Sequence, residues 1–143
     1  MYTPFNKDFG PHNLGVTHFF CQEVEKMISA EELKDKKIYH HTTDQDKVKL
    51  TNAFYLMAAF MIVVLDRSAE DAYNTFETFH EEILPYRDAS SNVEVTYKCQ
   101  LYHCLKGLEF ALKLKWYDFK SFNLEEYVDL PQFTFADTST TTN

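Results

Sequence analysis

The stretch Lys37-Ile38-Tyr39-His40-His41-Thr42-Thr43-Asp44-Gln45-Asp46 runs straight into Lys47 and on to Leu65. Its first five residues follow a charged segment and read as a short strand, with β-prone Ile38 and Tyr39 at the centre. Thr42 to Asp46 are turn and N-cap types, so a long helix is predicted over 46–65. Within it, Ala53 to Leu65 is a run of thirteen residues without a charge. A bilayer crossing needs roughly twenty, so the run is no membrane span. A helix apolar all round is instead buried on several sides. The unit is therefore strand, turn and central helix of a layered α/β domain.

The flanks supply further helices. Upstream, Val16, Phe20, Val24, Met27 and Ile28 recur at helical spacing and predict a helix over 13–28. Residues 31–37 read as a solvated connection. Downstream, Ser68 is a good N-cap, with Glu70 and Asp71 placed where the helix dipole favours acids, which predicts a helix over 69–79. Pro85 breaks the pattern, and 84–92 reads as a loop. Tyr97, Leu101, Cys104, Leu105, Leu108, Ala111 and Leu112 mark a helix over 95–115, followed by short aromatic segments at 117–122 and 124–129. Residues 1–130 thus form one helix-rich α/β domain, and the Thr-rich stretch 131–143 reads as a disordered tail. One strand cannot make a sheet. Either further strands are cryptic, near Tyr2 to Phe5, or the sheet is incomplete in this chain.

Composition removes several chemistries. The 143 residues include three glycines, Gly10, Gly15 and Gly107, whose spacing fits neither dinucleotide nor phosphate-loop glycine patterns. The two arginines are Arg67 and Arg87; six residues before them stand Met61 and Glu81, so no Cys-x5-Arg pair exists. Net charge is −8, from 14 Lys+Arg against 22 Asp+Glu. That balance disfavours nucleic acid and suits basic peptides, or serves solubility alone. The cysteines, Cys21, Cys99 and Cys104, are odd in number and lack C-x-x-C spacing, which suits reduced, buried thiols. Met1 to Pro4 carries no secretory pattern, so an intracellular setting, cytoplasm or nucleus, is expected.

The most site-like feature is the turn from His40 to Lys49. A strand ending over a helix N-terminus is where backbone N–H groups hold anions, and Lys47 and Lys49 stand in the first helical turn. Asp44 and Asp46 oppose an anion there, and the plainer account is an ordinary capped helix. Adjacent strand residues face opposite ways, so His40 and His41 do not readily share an ion. Cys99 with His103, and His18 with Cys21, are two-ligand sets and fall short of a zinc site. No metal and no cofactor are expected. The loop Leu84-Pro85-Tyr86-Arg87-Asp88-Ala89-Ser90 is mixed polar; alone it reads as a local cap and ion pair.

Taken together and in order, several segments carry a resemblance. They are Asp8-Phe9-Gly10-Pro11 with Asn13-Leu14, Lys37 to Thr42, Thr51-Asn52-Ala53-Phe54, Ala69 to Tyr73, and Leu84 to Ser90. Cys104-Leu105-Lys106-Gly107 and Tyr117 to Tyr127 complete the set. The chain resembles the N-terminal half of the cell-division-cycle-fourteen type dual-specificity protein phosphatases, over about residues 2–129. That resemblance implies a phosphatase-like fold without the chemistry, beside a C-terminal catalytic domain that carries Cys and Arg. His41 then occupies the nucleophile position and Lys47, six residues on, the arginine position of a degenerate phosphate loop. An imidazole and an ammonium do not perform thiolate phosphoryl transfer. The resemblance also implies an acidic groove that favours a basic residue shortly after phosphoserine-proline. Asp88 matches one groove acid and Asp137 another; two further acid positions hold Val128 and Pro131, with Glu125, Glu126 and Asp129 nearby.

Three functions follow as expectations. The first is a non-catalytic domain that helps a catalytic domain, in cis or in trans, to recognise basic phosphoprotein segments. The second is a stand-alone pseudophosphatase that binds phosphorylated or basic segments. The third is a metal-dependent enzyme built on His40, His41 and Asp44.

Overall fold

A computed structural model of the chain describes residues 2–90, 94–95 and 97–129. Its elements are α1 (Leu14–Ser29), α2 (Lys47–Val63), α3 (Ala69–Asn74), α4 (Leu101–Lys113) and α5 (Leu124–Asp129). Short 3₁₀ turns cover Glu31–Leu33 and Glu77–Glu82. The reading of 131–143 as a tail lies outside the described residues.

The central position of α2 follows from its sequence. Tyr55, Ala58 and Ile62 pack with Ala69 and Ala72 of α3, Leu101 and Leu105 of α4, and Tyr86. Phe60 turns to Cys21 and Val24 of α1, and Ala59 to Leu108 of α4 and Tyr117. Fully buried Ala58 and Ala59 let the neighbouring helices approach closely. Two polar residues interrupt this apolar helix, Thr51 and Asn52, and both are buried. Thr51 Oγ1 donates to the Lys47 carbonyl (2.8 Å) and accepts from the Leu84 N–H (3.0 Å). Asn52 Nδ2 donates to the Phe9 carbonyl (2.6 Å), while its Oδ1 accepts from the Tyr86 hydroxyl (3.2 Å). Two loops are thereby pinned to one turn of α2.

Helix starts obey the capping rules. Asn13 Oδ1 accepts from the Val16 N–H at 2.9 Å, and Ser68 Oγ from the Asp71 N–H at 3.0 Å. The predicted helix at 69–79 stops earlier. Thr75 Oγ1 bonds back to the Asp71 carbonyl, Phe76 N–H shifts to the Tyr73 carbonyl, and the chain tightens into the second 3₁₀ turn. The helix predicted over 95–115 begins only at Leu101. Cys99 is held extended by paired hydrogen bonds with Tyr86 (2.8 and 2.9 Å), which a helical residue 99 could not make.

The sheet expectation is the one to correct. Residues 37–41 are not a strand, and Tyr2 to Phe5 is not one either. Among the described residues the β pairing is the single antiparallel bridge between Tyr86 and Cys99. A strand exists by virtue of a partner, and no described segment lies alongside 37–41 to exchange hydrogen bonds with it. The segment is consequently exposed, with Tyr39 78% accessible. The domain is helix-rich, without a sheet among the described residues.

Candidate functional site

The turn that opens α2 closes on itself. Asp46 is the N-cap, and its Oδ1 accepts from the N–H groups of Val48 and Lys49, each at 3.1 Å. Its other oxygen lies 3.4 Å from the Lys49 ammonium. The hydrogen bond from the Lys49 backbone, first among these contacts, holds the Asp46 carboxyl below its usual range. Lys47 is paired elsewhere, with Glu82 at 2.9 Å. Two of the free N–H groups that this helix start offers an anion, those of Val48 and Lys49, are thus taken by an anion of the chain's own. His40 and His41 are exposed, and the His40 ring meets Phe20 edge-on at 5.4 Å. Partial loss of solvent, then the neighbouring His41, hold the His40 pKa below its usual value.

A cleft of about 540 Å³ lies against this turn, lined by His40, His41, Lys49, Asp46 and, from the N-terminal segment, Asp8 and His12. Asp8 accepts from the Tyr2 hydroxyl and from the Asn6 N–H (2.8 Å). Burial opposes ionisation of Asp8, but these hydrogen bonds outweigh it and hold its carboxyl low. Burial likewise holds His12 low. The cleft therefore presents carboxylates beside its one lysine. No group of three or more His, Cys, Asp or Glu side chains stands ready for a metal ion among the described residues.

The second region is acidic. Asp88 follows the Tyr86–Cys99 bridge in a loop that folds on itself. Ser90 Oγ donates to Asp88 Oδ1 (2.7 Å), and Arg87 Nη2 donates to the Ser90 carbonyl (3.4 Å). Glu125 and Glu126 are exposed in the first turn of α5, capped by Asn123 through the Glu126 N–H (3.1 Å). Asp129 is the last residue of α5. Asp137 lies outside the described residues.

Two glycines admit close contacts from segments that carry Asp88 and the α5 acids. A Cβ on Gly10 would stand 2.6 Å from the Tyr86 ring, two residues before Asp88. A Cβ on Gly15 would stand 2.9 Å from the Tyr127 ring, one residue after Glu126. The Asp88 loop therefore packs against Gly10, ahead of α1, and α5 against Gly15 in the first turn of α1; a side chain at either glycine would meet an aromatic ring. Sequence reading named the acids but not this anchoring; the signal available to it was glycine in a glycine-poor chain.

Two further features also escaped it. His18 is fully buried, with Nδ1 2.9 Å from the Tyr117 hydroxyl and its ring between Phe119 and Phe122. Its Nε2 has no hydrogen-bond partner among the described residues, and burial lowers its pKa. Cys99 and Cys104, placed on one helix by the sequence reading, instead bring their sulfurs to 3.5 Å.

The chain thus combines an apolar central helix and a self-capped α2 turn with a sequence that holds no Cys-x5-Arg pair. The family described as dual specificity protein phosphatase, N-terminal half, matches residues 1–111, and the chain belongs to that family. It is 34% identical over 128 residues to the dual specificity protein phosphatase CDC14A of Mus musculus, covering 89% of this chain and 21% of that protein. It is 36% identical over 134 residues to the tyrosine-protein phosphatase cdc-14 of Caenorhabditis elegans, covering 88% and 18%. A more distant relative is the tyrosine-protein phosphatase CDC14 of Saccharomyces cerevisiae, at 24% over 140 residues. The chain spans about a fifth of the length of the curated relatives it matches. No helix among the described residues is long and apolar enough to cross a membrane.

Proposed function

We propose that this chain is the non-catalytic domain of a dual-specificity (Ser/Thr and Tyr) protein phosphatase, spanning residues 1–130 with a polar tail at 131–143. It works inside the cell beside a Cys-x5-Arg catalytic domain, in cis or in trans. Its acids, Asp88 with Glu125, Glu126, Asp129 and Asp137, help that domain select phosphopeptides carrying a basic residue.

The observation that carries the non-catalytic part is Asp46. Its carboxylate takes the Val48 and Lys49 N–H groups, and a phosphoryl group would have to displace it against like charge. Lys47, paired with Glu82, is not poised over the turn as a transition-state clamp would be. The recognition part is supported by Glu125 and Glu126 standing exposed on α5, by Asp88 in its loop and by a net charge of −8. Basic segments are attracted to such a surface, and the attraction weakens as salt rises.

The purified chain should leave an aryl phosphate unhydrolysed over a blank. Turnover abolished by His41→Ala would overturn the reading. A second reading is favoured by the cleft beside His40, His41 and Lys49: a domain that binds phosphorylated segments unaided. Calorimetric titration with a phosphopeptide and its unphosphorylated twin separates the two. Binding that requires the phosphate and weakens with Lys49→Ala supports the second; preference for basic residues weakened by Asp88→Asn supports the first.

A further inference from the structure

The sulfurs of Cys99 and Cys104 lie 3.5 Å apart. A disulfide bond is about 2 Å long, so closing it asks for a movement of roughly 1.5 Å. We propose that Cys99 and Cys104 form a reversible dithiol–disulfide couple, oxidised by low-molecular-weight disulfides, which staples the Tyr86–Cys99 bridge to the first turn of α4. This is independent of the function proposed above.

The local fold makes the pairing. Cys99 stays extended because it exchanges both backbone hydrogen bonds with Tyr86. Gln100 then caps α4, and Cys104 sits one turn into the helix. Were Cys99 helical as well, five residues would turn it roughly 140° away from Cys104. The late start of the helix is what brings the thiols together. Both are half-buried, whereas Cys21 is wholly buried. Oxidant thus reaches the pair before it reaches Cys21. Burial, then the hydrogen bond with Cys99, push the Cys104 thiol up to about 12, which assigns Cys99 the first attack.

The exchange balances in two steps. The Cys99 thiolate attacks one sulfur of glutathione disulfide; the S–S bond of the oxidant breaks and one glutathione thiolate leaves. Cys104 gives its proton to solvent and attacks the Cys99 sulfur; the mixed disulfide breaks and a second glutathione thiolate leaves. Two protein thiols are oxidised, one disulfide is reduced to two thiols, and the two protons go to the departing thiolates. Because Cys104 attacks as its thiolate, the closing step becomes faster as pH rises.

The test uses the full reduced chain incubated with glutathione disulfide in mildly alkaline buffer, quenched with acid. Free thiols are then alkylated with N-ethylmaleimide under denaturing conditions, and the product is weighed intact and mapped. The expected product carries one label, on Cys21, with a Cys99–Cys104 cross-linked peptide, and recovers all three labels after dithiothreitol. In Cys104→Ser the mixed glutathione disulfide should stay on Cys99. Three retained labels, a stable glutathione adduct on Cys99 of the wild-type chain, or a bond involving Cys21 would each overturn the proposal. The wild-type peptide map decides the matter even where a variant folds badly, and the same treatment in urea should lose the Cys99–Cys104 selectivity.

Discussion

Asn52 does more for this fold than its size suggests. One carboxamide satisfies the Phe9 carbonyl with its nitrogen and the Tyr86 hydroxyl with its oxygen, at 6% exposure. Asn52→Leu keeps the branched shape but orphans both partners, and each orphaned buried group costs about 1–3 kcal/mol. Urea denaturation should report a loss in that range; a change within about 0.5 kcal/mol would mean that water replaces both bonds. His18 gives a pH signature. Its folded pKa is lowered from 6.5 by burial, so the folded chain holds it neutral while the unfolded chain takes up a proton. Its stabilising contribution is complete above the unfolded pKa and is lost as pH falls below 6.5 towards the folded value. Unfolding midpoints at about pH 7.5 and about pH 5.5 should therefore differ more in the wild type than in His18→Gln. His12 and His40 shift in the same direction but remain in both proteins, so the difference isolates His18. An equal drop in both would remove His18 from the explanation.

The helices were legible in proportion to how local their signals are. Asp46 and Ser68 announce α2 and α3 by capping chemistry, and the spacing of its apolar residues announces α1; the structure begins α2 and α3 at the residue after each cap. The uncharged run that begins at Ala53 announced burial of α2 on several sides, which three core clusters supply. What failed was non-local. Whether 37–41 pairs as a strand depends on a neighbour, and period-two patterning cannot say whether one is there. The start of α4 was misplaced because Tyr86, thirteen residues away, holds Cys99 extended. The candidate site divides likewise: residue types at His40, His41 and Asp88 were visible, but the Asp46 seal and the Gly10 and Gly15 contacts needed coordinates. The end of α4 yields a prediction of its own. Trp116 N–H bonds to the Ala111 carbonyl (2.9 Å) and Lys115 N–H to the Leu112 carbonyl (3.1 Å), with Lys115 at φ 56°. This is a Schellman cap with a lysine where glycine is preferred. Lys115→Gly should stabilise the chain by about 1 kcal/mol in thermal unfolding. Destabilisation would mean that the Lys115 side chain contributes more than its backbone costs.

The whole molecule is a helical layer with acids on the Asp88 loop and on α5 and a self-capped turn at the start of α2. In the function proposed above, these acids help to position a basic segment for another domain. Charge attraction of this kind sets preference and encounter rate more than raw affinity. The contribution of the acids should therefore appear as a ratio between substrates. The measurement is kcat/KM for a phosphoserine-proline peptide followed by Lys, divided by that for the same peptide with Ala. It is made with a Cys-x5-Arg catalytic domain joined to this chain, and repeated with Asp88→Asn, Glu125→Gln and Glu126→Gln together. The ratio should fall by about tenfold in the variant, the equivalent of about 1.4 kcal/mol, with turnover of an aryl phosphate unchanged. An undiminished ratio, with the joined protein fully active, would contradict a role for this domain in choosing basic substrates.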